Sequence, residues 1–148
     1  QLLKAIFFDL FTQDVVYDPT SVSEISGRIL IAAGWKPGFS TDTDAIFLAE
    51  QFGAKTVVNL SNIEQVYTDD PKKNPDAKPL DKISWKDFRK MVGDEWVPGK
   101  NCPFDPIASK KAESADIDVI CAGGKDIANI EKILNEQEFF GTKISNDC

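Results

Sequence analysis

Histidine is absent from the whole chain of 148 residues, and this gap removes more chemistry than any other. Without an imidazole there is no Ser-His-Asp or Cys-His nucleophile pair, no His-ligated zinc and no histidine general base. Cysteine is scarce: Cys102, Cys121 and Cys148 stand apart with no CxxC spacing. An odd, scattered set suits a reducing compartment rather than a disulfide framework, so a cytoplasmic location is expected. Long apolar runs are also missing; none spans a bilayer, and nothing resembles a signal peptide. Positive charge is in deficit, 17 Lys and Arg against 24 Asp and Glu, for a net charge of −7. That excess argues against a general nucleic-acid binder. It does not exclude a phosphate ligand, because backbone amides, helix N-termini or a metal ion offset the repulsion locally. What remains is chemistry by carboxylates, lysines, hydroxyls and backbone dipoles, which points toward phosphoryl transfer.

The chain is long enough for one domain with a real core, and its 42% hydrophobic and 28% charged residues are ordinary for a globular protein. It opens on Gln-Leu-Leu-Lys in place of methionine, so part of a longer protein is expected, residues 1–148 forming a single partial domain. Residues 1–10 (QLLKAIFFDL) read as a short apolar element. The continuous apolar runs at 28–34 (RILIAAG), 54–60 (AKTVVNL) and 118–124 (DVICAGG) read as buried strands, with a final strand in FFGTKIS. Helices are expected at 41–52, capped by Ser40, Thr41 or Asp42 and ended by Gly53; at 84–93 behind a serine cap; at 106–115 with Pro106 at the first position; and across KDIANIEKILNE. Residues 65–80, with Pro71, Pro75 and Pro79, and the stretch DEWVPGKNCPFD read as loops. Strands alternating with helices mean an α/β fold with a mostly parallel sheet, whose ligands sit beyond the carboxyl ends of the strands.

Three segments lie where such a site belongs. In GWKPGFSTD, Gly34 and Gly38 permit close backbone approach, Ser40 and Thr41 supply hydroxyls, and Asp42 stands beside the amides of a helix N-terminus. The same residues fit an ordinary strand-to-helix loop with a redundant cap, and spacing alone favours that plainer reading; Asp42 then only complements the helix dipole. In SNIEQVYTDDPKK, Ser61 and Asn62 follow a strand, and Tyr67 with Asp70 suits a stacked purine and its ribose hydroxyls. A surface turn with solvated charges fits as well. In NCPFDPIASKK, Asp105 is either the cap of the proline-initiated helix or a carboxylate aimed over a cleft. CAGGKD, residues 121–126, resembles the tail of a phosphate-binding loop but lacks GxxxxGK[ST] and reads as a plain strand-to-helix turn.

In their order along the chain, GWKPGFSTDTDAIFLAE, NLSNIEQVYTDDPKKNPDAKPL, PFDPIASK and FFGTKIS resemble the uridylate (UMP) kinases of the amino acid kinase family, most closely the archaeal type. VYTDDPKKNPDA is the most specific word, since the family carries V-Y/F-T-A-D-P-K followed by D-P-x-A. The resemblance implies a three-layer αβα sandwich that transfers the γ-phosphoryl of ATP, with Mg2+, to UMP. It places Trp35, Lys36, Pro37, Gly38, Phe39, Ser40 and Thr41 on UMP; Ser61, Asn62, Tyr67 and Asp70 on ATP; and Asp42 and Asp105 at the transfer site. It implies no metal ligands in this chain and a homo-oligomer, hexameric in relatives. Ser61 stands where threonine is commoner, Trp35 and Lys36 depart from many relatives, and Glu64-Gln65 replaces Asp-Gly. The family's opening strand, with its lysine and glycine-rich turn, and its GGG-type loop have no counterpart in these residues, so the isolated chain is expected to be inactive and to represent the C-terminal portion. Two alternatives stay open: another amino acid kinase with a carboxylate or carbamate acceptor, and a non-catalytic nucleotide-binding fragment.

Overall fold

Along residues 56–61 and 118–123, apolar side chains point alternately to the two faces of a strand, and each face meets its own layer of helices. The computed structural model describes residues 2–10, 12–95 and 102–148. Its elements in chain order are α1 (Leu2–Ile6), α2 (Thr41–Phe52), β1 (Thr56–Ser61), β2 (Val66–Tyr67), β3 (Pro79–Leu80), β4 (Lys82–Ser84), α3 (Trp85–Val92), α4 (Pro106–Ala115), β5 (Asp118–Gly123), α5 (Ile127–Leu134) and β6 (Thr142–Ser145). The main sheet runs in the order β1-β5-β6-β4. β1 pairs parallel with β5 and β4 parallel with β6, while β5 and β6 are antiparallel. The mostly parallel α/β fold is as expected.

Val119 and Cys121 of β5, with Val57 of β1, face α2, α3 and α4, where Ile46, Trp85, Phe88, Phe104, Ala108 and Ala112 close the larger core. Trp85 and Phe88 meet edge to face with centroids 6.0 Å apart, and the Trp85 indole donates to Ile117 O at 3.1 Å. Burying each such aromatic is worth about 1.5–3 kcal/mol or more. On the other face Ile120, Ala122 and Val58 meet Ile133 of α5 and Phe139. Helices therefore cover both faces, giving three layers.

Helix ends obey the local rules. Ser40, Ser84, Asp105 and Asp126 cap α2, α3, α4 and α5, each accepting from the amide three residues on. Gly53 ends α2 at φ 67°, a left-handed conformation that glycine adopts without strain.

Three expectations need correction. Residues 28–34 do not form a sheet strand: they make one isolated parallel bridge, Val16 with Ala32, and only Ile31 of the seven is buried. A continuous apolar run reports a tendency to be buried, not a pairing partner, and the neighbour at Val16 is itself irregular. β1 is half-buried, not buried, because it lies at the edge of the sheet and Leu60 is 44% exposed. The loop at 65–80 is in part a hairpin, β2 pairing antiparallel with β3, closed by Thr68 N to Lys78 O at 2.9 Å. β4 was not foreseen, since three residues are too few to show a period of their own. Of the loop expected at 94–105, residues 96–101 lie outside the described residues, as does Gln1 of the first element.

Candidate functional site

Packing of α2 on α4 brings two helix N-termini together at the carboxyl-end side of β1 and β5. Asp42, in the first turn of α2, accepts from the Asp105 amide at 2.9 Å. Asp105 caps α4 by accepting from Ala108 N at 2.8 Å, and the Thr43 hydroxyl points at the same carboxylate from 3.4 Å. Asp105 is thus the cap of α4, and its backbone amide also ties it to Asp42. Burial lifts the Asp42 carboxyl above its ordinary value; the Asp105 amide opposes this and the Asp105 charge adds to it. Beneath them, Cys121 is pushed up to about 12, first by burial and then by the Asp42 charge.

Residues 35–41 lead into α2 as a loop folded on its own aromatics. The Trp35 ring sits 4.6 Å from Phe39 and 5.9 Å from Phe47, centroid to centroid. Lys36 lays its ammonium 3.7 Å above Trp35 and 5.1 Å from Phe39, a cation–π arrangement. Pro37 and Gly38 are exposed, Gly38 at φ 92° where a side chain would be strained. Ser40 and Thr43 face each other at 3.1 Å, and Thr41 is exposed. The second acid of the turn, Asp44, is buried; it holds the loop by accepting from Trp35 N at 3.0 Å, and its other oxygen has no hydrogen-bond partner among the described residues. The pair of carboxylates within one turn was the visible signal for it, but the hold on Trp35 was not legible.

Ser61 ends β1 and its hydroxyl accepts from Ile63 N at 3.2 Å. With Asn62 it lines a cleft of about 210 Å³ together with Gly123, Gly124 and Lys125 from the end of the neighbouring strand β5. The turn after β5, read from the sequence as plain, is therefore part of a cleft with two of the expected donor-site residues. The signal was its position: a Gly-Gly-Lys run at the end of a strand that pairs with β1. Tyr67 and Asp70 are not among the residues lining that cleft; they stand on and beyond β2. Tyr67 is half-buried, and Asp70 accepts from Lys72 N at 3.0 Å with the Lys73 ammonium 3.6 Å away. Among the described residues no three His, Cys, Asp or Glu side chains are placed to hold a metal ion, and no helix is long and apolar enough to cross a membrane.

The sequence profile of the amino acid kinase family matches residues 15–123. The uridylate kinase of Methanocorpusculum labreanum is 36% identical over 133 residues, covering 89% of this chain and 57% of that protein. The uridylate kinase of Hyperthermus butylicus is 31% identical over 125 residues, covering 81% and 55% respectively. Among solved structures, the uridylate kinase of Archaeoglobus fulgidus superposes with a TM-score of 0.79 at 28% identity, over 97% of this chain and 67% of that one. The chain thus spans a little over half the length of these two curated relatives.

Proposed function

The chain belongs to the amino acid kinase family, and on that premise we propose that the full-length protein transfers the γ-phosphoryl group of ATP to UMP, giving UDP and ADP. The observation that carries this reading is the contact between Asp42 and the Asp105 amide, which places two carboxylates beside the loop that resembles the family's UMP segment. In the reaction a UMP phosphate oxygen attacks the γ-phosphorus, and the bond from that phosphorus to the bridging oxygen of ADP breaks. Little covalent work falls to the protein, so orientation and charge placement dominate.

Trp35, Lys36, Pro37, Gly38, Phe39, Ser40 and Thr41 wrap UMP in this reading, and Ser61, Asn62, Tyr67 and Asp70 hold ATP. Mg2+ fits as part of the incoming ATP complex. In that complex the ion is held by phosphate oxygens and water, and no carboxylate of this chain is needed as a ligand. When bound, it neutralises phosphate charge as the transfer proceeds. Homo-oligomeric assembly, hexameric on the family resemblance, and a cytoplasmic location belong to the same proposal, the first read by sedimentation. The deciding assay is ATP-dependent UDP formation by the full-length protein, with carboxylate and carbamate acceptors as controls. Turnover of one of those controls and not of UMP would overturn the reading.

A further inference from the structure

At Glu64-Gln65, where the family resemblance implies Asp-Gly, this chain carries a long amide side chain. The Gln65 side chain is buried, 4% exposed. Its Nε2 donates to Asp81 Oδ1 at 2.8 Å and to Gly141 O at 3.1 Å. The next residue, Val66, opens β2 and donates its amide to the Thr142 hydroxyl at 2.8 Å. That hydroxyl in turn donates to Leu80 O, in β3. Thr142 is fully buried and opens β6. Four bonds therefore clamp both strands of the β2–β3 hairpin, and the Asp81 link after it, onto the front of β6. Beyond the clamp the hairpin is closed on itself: Thr68 and Lys78 exchange two hydrogen bonds, and Asp70 O accepts from Lys73 N and Asn74 N.

We propose that Gln65 and Thr142 are positioning residues for the donor nucleotide, a latch that fixes where Tyr67 and Asp70 stand relative to Ser61 on the main sheet. This rests on the donor-site reading above. Neither side chain needs to touch the ligand. Each holds a polar group that would otherwise be buried without a partner, a condition costly enough to enforce one geometry. Because the bonds converge on a two-stranded hairpin too short to be stable alone, the latch decides its order as well as its place.

The test uses the full-length protein with Gln65→Ala, Thr142→Val and, as the conservative control, Thr142→Ser. ATP affinity is measured by direct titration without UMP, kinetics by the split between kcat and the two KM values, and hairpin order by amide hydrogen exchange. Gln65→Ala and Thr142→Val are expected to weaken ATP about tenfold, the scale of one lost buried hydrogen bond. KM for UMP should hold within about twofold, and exchange should speed up over residues 65–80 while β5 keeps its protection. Thr142→Ser should match wild type. Faster exchange with unchanged ATP affinity would overturn the positioning role, and unchanged exchange would overturn the latch. If β5 loses protection along with the hairpin, the residues are general core supports and the proposal fails. Wild-type protein that binds no ATP would instead sink the donor-site reading, and the positioning role with it.

Discussion

Asp42 is a half-buried carboxylate in the first turn of α2. Its carboxyl binds protons more readily folded than unfolded, because burial and the Asp105 charge outweigh the amide it accepts. Between its ordinary value and its raised folded value the native state therefore holds the extra proton, so stability falls as pH rises through that window and stays reduced at neutral pH. Asp42→Asn keeps shape and the acceptor for Asp105 N, and is expected to raise Tm at pH 7, the gain disappearing below about pH 4. In the full-length protein the same change should lower kcat about a hundredfold or more with little effect on either KM. Near wild-type turnover would leave Asp42 as a first-turn acid alone. Tyr67→Ala and Asp70→Ala should each raise KM for ATP about tenfold, given about 1–3 kcal/mol for base stacking and a similar loss for a charged hydrogen bond. A rise in KM for UMP instead would mean that the two nucleotide sites are interchanged. Cysteine chemistry separates by position: Cys148 is exposed, while Cys121 is 1% exposed with its thiol pushed up to about 12. Thiol reagents at pH 8 should label Cys148 quickly and reach Cys121 only on unfolding; equal labelling rates would show the β5 core to be open.

Elements were legible in the sequence wherever a cap and a periodic run coincided. The Ser40 cap, the apolar face from Ala45 to Phe52 and the Gly53 stop defined α2, and Pro106 behind Asp105 defined α4. Pairing was less legible, because a strand needs a partner that its own residues do not name. The run at 28–34 has the composition of β5 but only a bridge for a neighbour, and β2 and β3 are pairs of residues held by Thr142 from 76 and 62 positions away. The candidate site divides the same way. The acids of α2 and α4 were visible singly, and their contact needed the fold. Gly141 shows the constraint at one position: a Cβ there would lie 2.8 Å from Cys121 O and 3.3 Å from the Ala122 side chain. Gly141→Ala is therefore expected to force β6 off β5 and destabilise the fold by about 1–3 kcal/mol, measured by urea denaturation. An unchanged midpoint would mean that the strands have room to spare.

At the scale of the molecule, 148 residues present a sheet whose β1 edge is paired on one side only among the described residues. Leu2, Leu3, Ile6 and Phe8 are more than half exposed, and Leu60 and Leu134 add apolar surface at the sheet's end and on α5. Such edges and patches favour association. The isolated chain is expected to form no measurable UDP and to aggregate as concentration rises. Kinase-like turnover by the purified chain of 148 residues would refute the first part, and a concentration-independent sedimentation coefficient the second.

The Asp42–Asp105 contact joins residues 63 positions apart, and β1 finds β5 across a comparable span. Both are non-local encounters, the kind that slow folding. On a ribosome adding about 5–20 residues per second, α2 and β1 emerge roughly 3–13 s before the partners that cover them. For that interval Ile46, Val57 and the carboxylate of Asp42 are left to water or to a chaperone. Asp42 thus waits, exposed, for surroundings that a later-made stretch of the chain supplies.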